Sequence, residues 1–227
     1  MKNIESKVRE RFRKRSFSLN GLDLKLTHHI KIRRGFFIEA GANDGLKQSN
    51  SLYFEKYMGW KGLLIEPIPD LAEQCRLNRP RCLVENCALV SAGYKERTVE
   101  MQYNDLMSFV KGAFGDEADE SQFIETGKKF LRPGDSPHLI SVPAKTLSDV
   151  LDSHRIEHVD LLSLDVEGYE ADVLGGLDFG RHAPHFILCE VRHNKKQAIE
   201  SILAPYYNEP SILNTNESYS DVLYRLK

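Results

Sequence analysis

The stretch Gly35-Phe36-Phe37-Ile38-Glu39-Ala40-Gly41-Ala42-Asn43-Asp44-Gly45 constrains this chain more than any other. Phe36-Phe37-Ile38 is an apolar run next to glycine, the pattern of a strand buried on both faces. A turn of glycines and small residues follows. Then comes Leu46 to Tyr57, whose apolar residues at 46, 52, 53, 54 and 57 predict one face of a helix. A strand, a tight turn and a helix open a nucleotide-binding α/β unit, because backbone N–H groups at a helix start can meet ligand oxygens. Gly41 and Gly45 leave the backbone bare for close approach. Asn43 and Asp44 suit the turn and the helix cap.

The rest of the chain repeats this alternation. Gly62-Leu63-Leu64-Ile65-Glu66-Pro67 reads as a second strand with a helix from Asp70 through Leu77 behind it, and Cys82 to Val90 as a third. Strand Ile140 to Ala144 precedes a helix from Leu147 to His154. Strand Val159 to Gly168 precedes a helix holding Ala171, Val173 and Leu174, and strand Phe186 to Val191 precedes a helix from Lys195 to Leu203. Asp221 to Leu226 reads as a closing antiparallel strand. Strands spaced by helices predict a parallel sheet built from right-handed crossovers. The expected fold is α/β, a Rossmann-like doubly wound, mostly parallel sheet with an antiparallel last strand, in one domain over 35–227. Residues 91–140 break the rhythm with a half-exposed alternation at Arg97 to Tyr103, an acidic loop-like segment at Gly115 to Ser121 and turn signals at Pro133, Gly134 and Pro137. They are expected to be an irregular insertion, a cap over the ligand cleft or a surface excursion. Residues 1–34 form a basic leader, read as helical near its start and packed through Ile4, Val8 and Phe12, with an extended lead-in where Leu22, Leu24 and Leu26 alternate.

Composition narrows the partners. A net charge of −2 argues against broad nucleic-acid binding. No apolar run is long enough to span a membrane, and Met1 to Lys7 lacks the core of an export signal, so a cytoplasmic setting is expected. Cys75, Cys82, Cys87 and Cys189 show no metal-type spacing and read as reduced thiols.

In an open parallel sheet, ligands gather beyond the carboxyl ends of the strands. The residues expected there are polar: Glu39 to Gly45, Glu66, Asn86, Asp165 and Glu167, then Glu190 and His193. Glu66 follows the turn at a spacing suited to a carboxylate that takes ribose hydroxyls. The turn lacks Gly-x-Gly-x-x-Gly and carries Glu39 and Asp44, which would repel a pyrophosphate but tolerate a ligand bearing ammonium and sulfonium charge.

Phe37-Ile38-Glu39-Ala40-Gly41-Ala42-Asn43-Asp44-Gly45, Leu64-Ile65-Glu66-Pro67, Asn86-Cys87-Ala88-Leu89 and Leu164-Asp165-Val166-Glu167-Gly168-Tyr169-Glu170 together resemble the FkbM family of S-adenosylmethionine-dependent methyltransferases, over about Gly35 to Val191. The resemblance implies transfer of a methyl group to a hydroxyl oxygen, often on sugars or polyketides, and so a small-molecule or glycan acceptor. It implies that Glu39, Gly41 and Asp44 hold the methionine end of the cofactor, with Ala42, Asn43, Gly45 and Ser49 in the same turn. Glu66 and Pro67 would meet the ribose, Asn86 and Ala88 the adenine, and Asp165 the methyl end.

An acceptor hydroxyl must lose its proton to a base or bind a metal. Glu167 or His193 is the expected base, with Asp165 and Glu190 positioning cofactor or acceptor. A variant reading places a divalent cation, Mg or Mn, on Asp165, Glu190 and His193. The competing classes are an NAD(P)-dependent oxidoreductase using the same ribose carboxylate, against which the missing glycine pattern counts, and a non-catalytic binding module with this fold.

Overall fold

The computed structural model describes residues 15–227; the leader segment containing Ile4, Val8 and Phe12 lies outside the described residues. A seven-stranded sheet organises them. Its parallel core comprises β1 (Phe36–Ala40), β2 (Lys61–Ile65), β3 (Leu83–Glu85), β8 (Leu161–Leu164) and β9 (Phe186–Arg192). β11 (Tyr219–Arg225) runs antiparallel to β9, and β10 (Ser211–Thr215) antiparallel to β11. The order is β10-β11-β9-β8-β1-β2-β3. The chain therefore moves outward from β1 to β3 and returns to β8 on the other side, which puts the switch point between β1 and β8. The expected α/β sheet with an antiparallel closing strand forms, extended by β10.

The core strands are apolar because both faces are covered. Ile38, Leu63, Leu162 and Ile187 pack with Val150, Leu151, Val173 and Ile199 on one side. Phe37, Leu64, Leu161 and Leu188 pack with Leu26, Ile30 and Trp60 on the other. Helices expected from their periodicity form at α2 (Pro69–Asn78), α4 (Leu147–His154), α5 (Glu170–Leu174) and α7 (Lys196–Leu203). Thr146 caps α4 by accepting the Asp149 N–H at 3.0 Å.

Four expectations are overturned. Leu22 to Leu26 is not extended but part of helix α1 (Leu22–His29). Leu22 and Leu26 sit one turn apart and are both buried, and the Asp23 carboxylate gathers the Ser16 and Ser18 hydroxyls and the Phe17 and Leu24 N–H groups at the helix start. Second, no helix runs from Leu46. That segment is a series of turns ending in a π-helical turn, Phe54–Met58. The polar groups at Ser49, Asn50 and Ser51 bond Glu39 instead of a helical ladder. Third, Cys82 to Val90 is two strands. The Asn86 side chain donates to the Glu66 and Pro67 carbonyls, and the chain leaves the main sheet after β3 for β4 (Ala88–Leu89).

The fourth concerns the insertion, which is ordered. β4, β5 (Thr98–Tyr103), β6 (Phe109–Val110) and β7 (His138–Lys145) form a second sheet in the order β4-β7-β5-β6. Ile140 to Ala144, expected to continue the parallel alternation, belongs here, antiparallel to β5. The acidic segment begins α3 (Glu117–Gly127), capped by Asp116, with Glu117, Asp119 and Glu120 in its first turn, where negative charge favours a helix N-terminus.

Arg79 locks the underside of the turns after β1. It is 1 % exposed and donates to the Gly45 carbonyl, to Ser49 and Ser51, and to Glu55, with Glu39 at 3.7 Å. Burial pushes the Glu55 carboxyl up, but Arg79 and Arg81 outweigh it and hold it below the usual range. Replacing Arg79 by leucine leaves buried Glu39 without its counter-charge and Glu55 with only the exposed Arg81, so Arg79→Leu should destabilise the protein by about 3–5 kcal/mol in urea unfolding. A loss under 1 kcal/mol would show the cluster to be peripheral.

Candidate active site

The carboxyl ends of β1, β2, β8 and β9 open into a cavity of about 910 Å³, roofed by the insertion. Glu39, Gly41, Ala42, Asn43, Glu66, Pro67 and Ala88 line it, as do Asp165, Glu167, Glu190 and His193. Asp44, Gly45, Ser49 and Asn86 are not in the lining. The Asp44 carboxylate accepts the Leu46 and Lys47 N–H groups, and Ser49 and Asn86 serve the turns beneath the cavity.

Gly41 is indispensable to the switch point. It has φ +82°, and a Cβ there would lie 1.8 Å from the Asp165 carbonyl oxygen. Only glycine lets the end of β1 meet the end of β8. Glu39 is largely engaged by the turn: Ser49 Oγ and Ser51 Oγ donate to one oxygen at 2.8 and 2.6 Å, and the Asn50 N–H to the other at 2.7 Å, which leaves that second oxygen a lone pair. It shapes the turn rather than facing the cavity with a free carboxylate. The turn in turn presents two buried acceptors without a partner, Asn43 Oδ1 and Asn50 Oδ1. Glu66 accepts the Asn43 N–H at 2.8 Å through one oxygen and the Ile68 N–H at 2.9 Å through the other, leaving each oxygen a lone pair. Burial pushes its carboxyl up to about 8 against those two bonds, helped by Asp105 and Asp44.

At the other end of the cavity, one oxygen each from Asp165, Glu167 and Glu190 lie within 4.8 Å of one another. The turn that brings them together is tight: Glu167 has φ +54° and Gly168 φ +93°. Buried Glu170 staples it by accepting the Val166 and Gly168 N–H groups, both at 3.1 Å. All three converging carboxyls are pushed up. Crowding by the surrounding protein, which keeps water from the charged forms, is the main cause, although Asp165 is exposed to the cavity and Glu167 and Glu190 are half-buried. For Asp165 the charges of Glu170 and Asp221 add to it, for Glu167 that of Asp165, and for Glu190 those of Asp165, Glu167 and Glu170. Arg192 opposes the rise in each. His193 lines the cavity but does not join the converging set; its Nε2 is 3.5 Å from Ser220 Oγ. A cation site on Asp165, Glu190 and His193 therefore does not assemble, and Glu167 takes the place of the histidine.

Two residues at the site went unread in the sequence. Arg192 donates to Glu167 at 2.8 Å. Its signal was its place two residues after Glu190 on the same strand, hence on the same face. Asp105, buried in the insertion with φ +49°, accepts from Asn43 Nδ2 at 3.1 Å, with Lys47 and Arg132 at 3.5 and 3.4 Å. No local pattern announced it.

These raised carboxyls set a pH dependence. Folded, Glu66 keeps its proton up to about 8; unfolded, it loses it at an ordinary carboxylate value. The folded state thus holds more protons between those values, and stability falls as pH rises, by up to about 1.4 kcal/mol per pH unit for each such group. The ligand-free protein should melt at a lower temperature at pH 8 than at pH 5.5, with a shallower slope in Glu66→Gln. A melting temperature that rises over this range in the wild type would contradict the assignment.

The chain is similar in structure to a precorrin-6y C5,15-methyltransferase from Geobacter metallireducens GS-15 at 10 % identity, with 95 % of this chain and 94 % of that one covered and a TM-score of 0.49. It is also similar to a TehB-like SAM-dependent methyltransferase from Corynebacterium glutamicum (10 % identity, 100 % and 97 % covered, TM-score 0.46). A third likeness is to Aeropyrum pernix fibrillarin, solved with natively bound S-adenosyl-L-methionine (12 % identity, 94 % and 83 % covered, TM-score 0.46). No curated protein shows significant sequence similarity to the chain. The sequence itself matches the model of the methyltransferase FkbM domain over residues 39–222, from Glu39 on β1 to the middle of β11. That span takes in the whole cavity floor, and the chain belongs to the FkbM family of methyltransferases, which use S-adenosylmethionine as methyl donor.

Proposed function

We propose that this protein transfers a methyl group from S-adenosylmethionine to a hydroxyl oxygen of a sugar or glycoconjugate. The observation that carries the reading is the meeting of three carboxylates, Asp165, Glu167 and Glu190, with an aromatic wall of Phe114, Phe123, Phe130 and Tyr169 in one cavity. Carboxylates accept hydrogen bonds from a polyol edge, and aromatic faces take up the apolar faces of a sugar ring.

The residues at the β1 end fit the cofactor. The bare backbone at Gly41 admits close approach, the orphaned Asn43 and Asn50 oxygens suit an ammonium group, and the spare lone pairs of Glu66 suit the ribose diol. Pro67 would meet the ribose beside Glu66, Ala88 the adenine, and Asp165 the methyl end. Bound cofactor supplies an electrophilic methyl on a sulfonium.

The protein's own task is to align the acceptor and take its proton. Glu167 is the proposed base: its raised carboxyl makes it a stronger proton acceptor than an ordinary carboxylate, and Arg192 fixes its direction. Asp165 and Glu190 orient the acceptor hydroxyl. His193, at the rim, is the other candidate. The closeness of the three carboxylates also favours a second reading, in which Asp165, Glu167 and Glu190 would hold a divalent cation such as Mg or Mn that would make the acceptor hydroxyl more acidic.

Transfer of a labelled methyl group onto a panel of sugars and glycan fragments, read by mass and linkage, should yield O-methylated product. Product on nitrogen alone, or none, would sink the hydroxyl reading, and none with intact cofactor binding would favour a binding module. With an acceptor in hand, Glu167→Gln should lower kcat by roughly 10²- to 10⁴-fold. His193→Ala should change it only a few-fold, and the reverse pattern would move the base to His193. Turnover that survives excess EDTA would remove the cation. Gly41→Ala should weaken binding of S-adenosylhomocysteine by at least about 100-fold in calorimetry, because the added methyl forces β1 and β8 apart.

A further inference from the structure

Arg192 ends β9 and holds three segments at once. Its Nη2 donates to Glu167 on the turn after β8. Its guanidinium carbon lies 4.9 Å from the ring centroid of Phe114, in the turn after β6, and 4.8 Å from that of Phe123, on α3. The two rings are 4.7 Å apart, and both meet the edge of Phe109. Gly168 leaves room for this arrangement, since a Cβ there would sit 3.3 Å from Arg192 Nε. Phe123 belongs to the face of α3 that also brings Asp119, Gln122 and Thr126 to the cavity. The other bonds that hold α3 come from within the insertion, from Asn104 to the Ile124 carbonyl and from the Gly112 N–H to Glu120. The stack on Arg192 instead ties α3 to the parallel sheet.

We propose that Arg192 is a positioning residue that clamps α3 over the cavity and aims Glu167, so that closure of the insertion and placement of the base are one event. The inference rests on the reading of Glu167 as the acceptor's base for its second half only. Its chemistry requires arginine. A planar guanidinium can lie against two aromatic rings while its edge donates to a carboxylate, whereas an ammonium offers a point charge with no face. Removing the clamp frees α3 without touching Gly41, Asn43 or Glu66 on the cofactor side.

The test uses the full chain as wild type, Arg192→Met, Arg192→Lys, Phe123→Leu and the Arg192→Met/Phe123→Leu double variant. Amide hydrogen exchange over 117–127 and the dissociation rate of S-adenosylhomocysteine are read in each. Arg192→Met should speed both by about tenfold, the worth of a partly desolvated cation–π pair. Arg192→Lys should keep the charge but lose most of the α3 protection. The double variant should exchange little faster than either single one, because both break the same clamp. A merely structural role would loosen the sheet strands alike and lower the melting temperature without this confinement. Wild-type exchange over α3 in both Arg192 variants, or fully additive effects in the double variant, would overturn the proposal. Should Arg192→Met fail to fold, Arg192→Lys and Phe123→Leu decide it by the same exchange readout. If S-adenosylhomocysteine failed to bind the wild type, the cofactor reading would fall, while the exchange data would still decide the clamp.

Discussion

The carboxylate of Glu39 is the interaction on which the cofactor half of this protein depends. It stands at the end of β1, is 5 % exposed, and takes three donors from the Ser49–Ser51 turn. A buried carboxylate is costly unless it is hydrogen-bonded and countered by charge. Here Arg79, just past the end of α2, supplies the counter-charge and bonds both of the same serines. The result is a turn held by side chains where a nucleotide-binding unit ordinarily places a helix. That substitution matters at the cavity: with the N–H of Asn50 tied to Glu39, its side chain bridges to Ser163 on β8 at 3.1 Å and its Oδ1 is left without a partner. Glu39 thus acts on the cavity through Asn50.

At the far end the problem is reversed. Asp165, Glu167 and Glu190 crowd together, with Glu170 and Asp221 behind them and Arg192 as the opposing cation. Like charges this close do not all ionise in a confined space. Protons are the simplest compensation in the ligand-free protein. A sulfonium brought to the same end adds positive charge, which lets a carboxylate release its proton and become a base. On the proposed reading, cofactor and base are therefore linked by electrostatics: the charge that makes the methyl electrophilic also favours the ionised carboxylate needed opposite it.

Much of this was legible in the sequence, for identifiable reasons. Strands buried on both faces leave uninterrupted apolar runs, so β1, β2, β8 and β9 could be read directly, and the carboxylates at their ends followed from where parallel sheets bind ligands. α4 was legible down to its ends because Thr146 caps it and its apolar residues recur at helical spacing. Leu46 to Tyr57 misled because its apolar residues fit a helix while its polar ones answer to Glu39, a partner seven or more residues away. Leu22, Leu24 and Leu26 fit a strand by alternation, yet Leu22 and Leu26 also fit a helix, and the bonds that the Asp23 carboxylate gathers in the first turn favour the helix. Asp105 was not legible, since what gives it meaning is contact with Asn43, a position brought near by the fold alone; Arg192 had only its place on the face of Glu190, and its contact with Phe123 comes from the fold.

The insertion, the least readable part of the sequence, meets both ends of the cavity. Asp105 reaches the cofactor turn through Asn43 and Lys47, and Phe114 and Phe123 reach the catalytic turn through Arg192. The parallel sheet provides the proposed cofactor contacts and the three carboxylates; the aromatic wall comes largely from 109–130. Substitutions on the inner face of α3 can therefore reshape the acceptor half without disturbing Gly41 or Glu66. Substitutions at Asp105 cannot be so confined, because its loss leaves Asn43 Nδ2 without its acceptor beside the very N–H that Glu66 holds. Acceptor choice can be altered along α3 without changing the proposed cofactor contacts themselves, whereas at Asp105 the two are coupled directly.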